Sequence, residues 1–95
     1  MEALYSIIVD YKGGTYFSQY KAYNLLGLKE KWVKEELSNL SKIANFNFYQ
    51  IKTIKRKIFE EKEVEFENMK NAWNNDLGFI AKHYFSMIIV KTDNT

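Results

Sequence analysis

Hydrophobic and polar residues alternate along the first part of the chain, as they do in strands with one buried face. The segments 4–11 (LYSIIVDY) and 15–22 (TYFSQYKA) are rich in β-branched and aromatic residues and are separated by Gly13 and Gly14. A two-residue Gly-Gly loop favours a β-hairpin because glycine adopts positive φ without steric cost. We therefore predict a hairpin with these glycines as its loop, in which Lys12 pairs with Thr15.

The predicted hairpin has one apolar face and one mostly polar face. The apolar face carries Tyr5, Ile7, Val9, Tyr11, Tyr16, Ser18, Tyr20 and Ala22. The polar face carries Ser6, Asp10, Lys12, Thr15, Gln19 and Lys21, with Ile8 and Phe17 as apolar exceptions. This division is typical of an antiparallel sheet that is covered on one side only. Because the glycines lead into a strand and not a helix, the pattern favours a turn over a phosphate-binding loop.

The period changes to that of a helix after Asn24, a favoured N-cap residue. The helical stripe, which predicts a helix over residues 25–41, consists of Leu25, Leu28, Trp32, Leu37 and Leu40. Two pairs of opposite charge are spaced one turn apart, Glu30 with Lys34 and Lys31 with Glu35. A second helix is predicted over residues 47–61, with Asn47 as its cap and Phe48, Ile51, Ile54 and Ile58 as its inner stripe.

The last third of the chain returns to strand-like sequence. Residues 62–70 have no decisive period and are expected to form a loop with a short extended piece. Segments 71–80 and 84–92 are predicted strands, with a turn near Ala81, Lys82 and His83. The order β-β-α-α-β-β predicts one α+β domain over residues 1–95, a four-stranded antiparallel sheet with two helices packed on one face.

Composition narrows the class of protein. The 95 residues are 46% hydrophobic and 27% charged, which fits a globular chain, and they include no cysteine. A disulfide framework and a thiolate metal site are thereby excluded. No apolar run is long enough to span a bilayer or to act as a signal peptide, so a cytoplasmic protein with no membrane partner is expected. The net charge of +2 is small for a nucleic-acid-binding protein.

Candidate chemistry is sparse. His83 is the only histidine, so it cannot supply a metal site, and we expect an exposed turn residue. The alternative for His83 is a general base beside a nearby carboxylate in a small nuclease or transferase. No nucleophile, metal or nucleotide motif is recognisable. The sequence therefore predicts a protein that is not an enzyme and uses no cofactor.

A basic stretch on the second predicted helix gives an alternative function. Lys52, Lys55, Arg56 and Lys57 are candidate nucleic-acid-binding residues. Glu60 and Glu61 follow one turn later and cancel much of the positive field. The favoured interpretation is therefore a solvated helix face, and a nucleic-acid-binding module is the alternative.

Four sequence features carry a resemblance to known proteins. The chain resembles a group of small uncharacterised bacterial α+β proteins that share a Gly-Gly-Thr-Tyr turn (13–16), a tryptophan-bearing helix (Trp32), an Asn-x-Trp (71–73) and a C-terminal Ile-x-Lys-Thr strand (89–92). The opening hairpin and helix are also similar to the antitoxin half of HicAB-type toxin–antitoxin pairs. The chain lacks that family's Pro-Gly-Cys-like segment and DNA-binding tail, so no residue roles are carried over.

These observations favour a non-catalytic bacterial interaction protein of the immunity, antitoxin or inhibitor kind. The candidate partner-binding surface is the polar face of the hairpin, with Asp10, Lys12, Thr15, Phe17, Gln19 and Lys21. Phe17 is the most informative residue, because a phenylalanine on a polar face is expected to be covered by a partner. The expected partner is another protein or a second copy of the chain, as in a homodimer.

Overall fold

The computed structural model describes residues 1–92, and the α+β class with its antiparallel sheet and two helices is confirmed. The strands are β1 (Ala3–Tyr11), β2 (Gly14–Ala22), β3 (Val64–Glu65), β4 (Ala72–Asn74), β5 (Gly78–Ile80) and β6 (His83–Lys91). The first helix consists of the consecutive stretches Leu25–Lys31, Trp32–Glu36 and Leu37–Ala44, of which the middle one is π-helical. The second helix is Phe48–Glu60. None of these helices is long and apolar enough to cross a membrane.

The sheet has six strands, so the predicted number of four is wrong. The order is β2-β1-β6-β4-β3, and β5 pairs with β6 beside β4. Residues 71–80 do not form one strand, because a bulge of three residues, 75–77, separates the pair Asn74–Ile88 from the pair Gly78–Phe85. The extra edge strand β3 pairs with β4 and lies in the segment whose sequence has no decisive period.

The hairpin turns one residue earlier than predicted. Its two loop residues are Lys12 and Gly13, both with positive φ (51° and 82°), and Tyr11 pairs with Gly14. The predicted pairing of Lys12 with Thr15 is therefore wrong, and the register is displaced by two residues. Because side chains alternate with a period of two, a displacement of two leaves every side chain on its predicted face.

Side-chain caps begin both helices where the sequence predicts. The Asn24 side chain accepts a hydrogen bond from the Gly27 amide at 2.8 Å. Asn47 and Gln50 form a reciprocal capping box, with both hydrogen bonds at 2.9 Å. The first helix extends three residues past its predicted end and stops at Asn45, which has left-handed φ. Phe48 is 67% exposed, so its assignment to the inner stripe of the second helix is wrong.

The π-helical turn prevents the two predicted ion pairs of the first helix. Within residues 1–92, neither Glu30 and Lys34 nor Lys31 and Glu35 approach to within 4.0 Å. An extra residue in the turn rotates the side chains that follow it, so residues four apart no longer lie above one another. Lys31 instead lies 3.6 Å from Glu2, near the start of β1.

The core lies between the inner face of the sheet and the two helices. It is built around the edge-to-face contact of Trp32 and Phe85, whose ring centroids are 6.5 Å apart. The buried tyrosine Tyr11 donates a hydrogen bond to the Ile80 carbonyl oxygen at 2.6 Å. The predicted apolar face of the hairpin therefore packs beneath the helices, as its tyrosine and aliphatic pattern requires.

A salt bridge connects the first helix to the segment that precedes β3. Lys29 is 6% exposed, and its Nζ donates to Oε2 of Glu63 at 2.6 Å and to the Glu61 carbonyl oxygen at 3.3 Å. Burial raises the pKa of the Glu63 carboxyl, but the hydrogen bond and charge of Lys29 outweigh it, and the net pKa is lowered.

Candidate functional site

The candidate site is the open face of the sheet, the side that faces away from the two helices. Directly paired residues of neighbouring strands point to the same face. Phe17 pairs with Ile8, Ile8 with Ile88, Ile88 with Asn74, and Asn74 with Val64. These five residues form a row across β2, β1, β6, β4 and β3, which we call the cross-strand row. Among residues 1–92, no helix covers it.

The cross-strand row is apolar except for Asn74. Its two ends are the most exposed, with 62% of Phe17 and 66% of Val64 accessible to solvent. Ile8 and Ile88 are half-buried and lie on the adjacent inner strands β1 and β6, each of which has a neighbouring strand on both sides. An exposed row that crosses the sheet with only one polar member is typical of a face that another protein covers.

Polar residues of the hairpin flank the cross-strand row on both sides. On one side, Thr15 Oγ1 donates a hydrogen bond of 2.6 Å to Asp10 Oδ1. On the other side, Gln19 Nε2 donates a hydrogen bond of 2.9 Å to Ser6 Oγ, and Ser6 is buried. These hydrogen bonds pair the polar side chains with one another across the hairpin, whereas the Phe17 ring between them is exposed.

The sequence-predicted surface residues mostly lie together on the open face. Asp10, Thr15, Phe17, Gln19 and Lys21 are exposed there. Lys12 is different, because it occupies the hairpin loop with positive φ and lies at the rim. The structure therefore brings five of the six candidates onto one surface and leaves the sixth at its edge.

An aromatic pair extends the open face toward β5. Phe79 and Tyr84 are cross-strand partners with ring centroids 5.4 Å apart, and they are 67% and 48% exposed. The Tyr84 hydroxyl donates to Asp76 Oδ2 at 3.0 Å, while Asp76 Oδ1 accepts from the Met87 amide at 2.9 Å. The hydrogen bond to the Asp76 carboxylate raises the pKa of Tyr84. Asp76 thus fixes the aromatic ring beside the bulge.

Sequence reasoning missed the part of the open face that lies outside the hairpin: Val64, Phe79, Tyr84 and Ile88. The alternation of Tyr84, Ser86, Ile88 and Val90 along β6 could have indicated one exposed apolar row. Phe79 and Val64 had no comparable signal, since one follows the bulge and the other lies in a strand of two residues.

The basic residues of the second helix do not form one free ridge. Arg56 donates to Glu60 at 2.8 Å, and Lys57 Nζ donates to the Leu77 carbonyl oxygen at 3.1 Å. Lys52 lies over the Phe48 ring, 5.5 Å from its centroid. Lys55 faces the space between the two helices. The four residues therefore point in different directions, which is unfavourable for binding successive phosphates.

His83 lies beside the turn between β5 and β6, where it pairs with Ile80. It is the first residue of β6 rather than part of the turn, it is exposed, and its ring lies 5.9 Å from that of Tyr11. Within residues 1–92, no group of three or more histidine or acidic side chains is arranged to hold a metal ion.

Comparison of the chain with protein-family models, with curated proteins and with solved structures finds no match.

Proposed function

We propose that the chain is a non-catalytic bacterial interaction protein of the immunity, antitoxin or inhibitor kind, acting in the cytoplasm through the open face of its sheet. The observation that carries this proposal is the cross-strand row from Phe17 to Val64, an apolar band with solvent on one side.

The dimensions of the open face suit a protein partner better than a small ligand. β1, β2 and β6 have nine residues each and are about 30 Å long, but β4 and β3 have only three and two, so the face reaches its full width of about 20 Å only along the cross-strand row. The resulting surface is on the order of 400 Å², about half of the roughly 800 Å² that each partner contributes to a standard protein–protein interface. Small ligands bind in concave sites, whereas this surface is broad and open.

The arrangement of polar and apolar residues also resembles a protein interface. Specific interfaces have an apolar centre that excludes water and a polar rim. Here the centre is the cross-strand row, and the rim contains Asp10 and Thr15 on one side and Gln19 and Lys21 on the other. The rim carries both signs of charge, so it does not select a uniformly acidic or basic partner.

The occupant that this charge pattern fits is a second copy of the same chain. Asp10 and Lys21 lie near opposite ends of the hairpin's open face. A two-fold axis that runs across the strands would place the Asp10 end of one copy over the Lys21 end of the other. Both copies would then bury their cross-strand rows in a sheet-on-sheet contact, which is self-complementary as a symmetric dimer requires.

Sedimentation of the wild-type chain over a wide concentration range tests this proposal. We expect a concentration-dependent dimer that the Phe17→Asp variant abolishes. The matched control is Phe48→Asp, which makes the same chemical change at a phenylalanine 67% exposed on the second helix and should leave the dimer intact. A wild-type chain that stays monomeric would refute the symmetric dimer, and a dimer that persists in Phe17→Asp would refute the proposed surface.

A further inference from the structure

A groove lies between the two helices, on the opposite side of the molecule from the open face. Its volume is about 640 Å³. We call it the lysine groove, because its floor is apolar and its rim carries lysines. The floor consists of Val33, Leu37, Phe46 and Ile51, and the rim carries Lys34, Lys42 and Lys55. The groove follows from the fold, because the first helix ends at Asn45 and the second begins only three residues later.

The charge of the lysine groove is unbalanced. Lys34, Lys42 and Lys55 are exposed, and within residues 1–92 none of them lies within 4.0 Å of a carboxylate. No acidic side chain of the described residues lines the groove. Elsewhere on the same helices, Arg56 has Glu60 and Lys29 has Glu63 as partners. Three cations around an apolar floor favour a ligand that is both acidic and apolar.

One wall of the lysine groove includes a turn of the first helix that is not α-helical. Val33 and Lys34 belong to the π-helical turn Trp32–Glu36. Single π-helical turns inside α-helices occur frequently at functional sites. Here the turn separates Lys34 from Glu30, its predicted partner one turn earlier, and leaves the lysine free to face the groove. The irregularity therefore contributes directly to the unbalanced charge.

We propose that the lysine groove binds an acidic amphipathic helix of another protein. Helices bind in grooves by placing an apolar stripe on the floor, with their polar residues at the rim. Lys34 and Lys42 are eight residues apart on the first helix, which corresponds to about 12 Å. Two turns of a docked helix cover about 11 Å, so carboxylates seven residues apart on the ligand reach both lysines. Half-buried Val33 and Ile51 provide apolar surface that such a helix would cover.

The probe is a fluorescently labelled helical peptide with leucine along one face and glutamate on both flanks. A second peptide has lysine in place of every glutamate. We expect the wild-type chain to bind the glutamate peptide, and its affinity to fall as salt is added. We expect no measurable binding of the lysine peptide. Failure of the glutamate peptide to bind, or equal binding of both peptides, would overturn the proposal.

Substitutions of the groove lysines, compared with substitutions of lysines elsewhere, test whether the peptide binds in the groove. Lys34→Glu, Lys42→Glu and Lys55→Glu combined should weaken binding at least about tenfold. The control combines Lys62→Glu, Lys70→Glu and Lys82→Glu, which changes the net charge equally at exposed positions outside the groove and should weaken binding much less. Equal losses in both variants would show a non-specific charge effect and overturn the proposal.

Two further measurements keep the result decisive. If the charge-reversed variant fails to fold, the glutamine versions of the same three substitutions replace it. Amide chemical shifts of the wild-type chain should change at Val33, Leu37 and Ile51 when the glutamate peptide is added, and should not change at Phe17. Changes centred on Phe17 would contradict the proposal, as would equally tight binding of a short DNA duplex, which would indicate a polyanion surface.

Discussion

Tyr16 folds back over Gly14 so closely that a β-carbon at residue 14 would lie 2.5 Å from the Tyr16 hydroxyl oxygen. A β-carbon at the neighbouring Gly13 would meet no atom within 4 Å, but Gly13 has a φ of +82°. Glycine is therefore favoured at these two adjacent positions for different reasons. Gly13 allows the chain to turn, whereas Gly14 allows an aromatic side chain to pack against the backbone of β2.

A double-mutant cycle separates these two reasons. Gly14→Ala should destabilise the wild-type chain by about 1 kcal/mol, because Tyr16 must leave its position. In a Tyr16→Ala background the same change should be neutral or stabilising by about 0.5 kcal/mol, since alanine suits a strand better than glycine. Gly13→Ala should cost about 1 kcal/mol in both backgrounds, because its cost arises from φ. Urea denaturation measures all of these free energies, and an equal cost of Gly14→Ala in both backgrounds would rule out the Tyr16 contact as its cause.

The same hairpin shows why faces are easier to predict than registers. The apolar and polar faces follow from the alternation of residues 4–11 and 15–22, which any register displaced by two residues preserves. The choice between Lys12-Gly13 and Gly13-Gly14 as the loop depends on a small energy difference. Positive φ at Lys12 is unfavourable, and the packing of the Tyr16 ring on Gly14 is a local side-chain contact that the choice of turn residues does not reveal.

The helices and the core were predictable where the hydrophobic periodicity extends over several turns. They were less predictable where a single turn departs from α-helical geometry. Leu28 and Trp32 are buried as their spacing indicates. The π-helical turn after Lys31 has no sequence signal that local propensity can detect, and it removed both predicted ion pairs. Lys29 could have been noticed as a charge near the helical stripe. Its partner Glu63 is 34 residues away, and no local pattern identifies it.

The candidate site was predictable only within the hairpin. Phe17 is detectable because it interrupts a polar face, but the predicted register pairs it with Asp10, and only the observed register places Ile8 beside it. The rest of the surface depends on how β6, β4 and β3 align. The bulge at residues 75–77 sets that alignment, because it allows Asn74 and Phe79 to face the same side of the sheet. A bulge is determined by hydrogen bonds such as that from the Met87 amide to Asp76, not by alternation.

The ion pair of Lys29 and Glu63 predicts a loss of stability in acid. The folded-state pKa of Glu63 is lowered from its ordinary value of 4.5, so the unfolded chain binds this proton more readily. The stabilisation that results is present above pH 4.5 and is lost as the pH falls through the folded-state pKa. Glu63→Gln should therefore be destabilised at pH 7, by about 1–3 kcal/mol, because the buried ammonium of Lys29 loses its anionic partner. The difference from wild type should shrink as the pH falls below 4.5.

Denaturant titrations at several pH values measure this difference. The matched control is Glu65→Gln, which neutralises an exposed carboxylate two residues away and should change stability by less than about 0.5 kcal/mol. A Glu63→Gln variant whose deficit is the same at pH 7 and in acid would contradict the role assigned to the pair.

The hydrogen bond between Tyr20 and Glu36 predicts the opposite dependence, at alkaline pH. The Tyr20 hydroxyl donates to Glu36 Oε1 at 2.7 Å and joins β2 to the first helix. Burial of the ring, followed by this hydrogen bond and the charges of Glu36 and Glu35, raises the pKa of Tyr20 above its ordinary value of 10.0. Above pH 10 the unfolded chain therefore loses this proton before the folded chain does. The stabilisation is complete below pH 10 and decreases as the pH rises toward the folded-state pKa.

Two substitutions test the role of this hydrogen bond. Tyr20→Phe should destabilise the chain by about 1 kcal/mol at neutral pH, because it removes one hydrogen bond and leaves Glu36 without its donor. The difference from wild type should decline above pH 10. Glu36→Gln keeps an acceptor for the hydroxyl but removes the charge, so the pKa of Tyr20 should move back toward 10.0. NMR titration of ring-labelled tyrosine measures that pKa directly, and an unchanged value in Glu36→Gln would show that burial alone raises it.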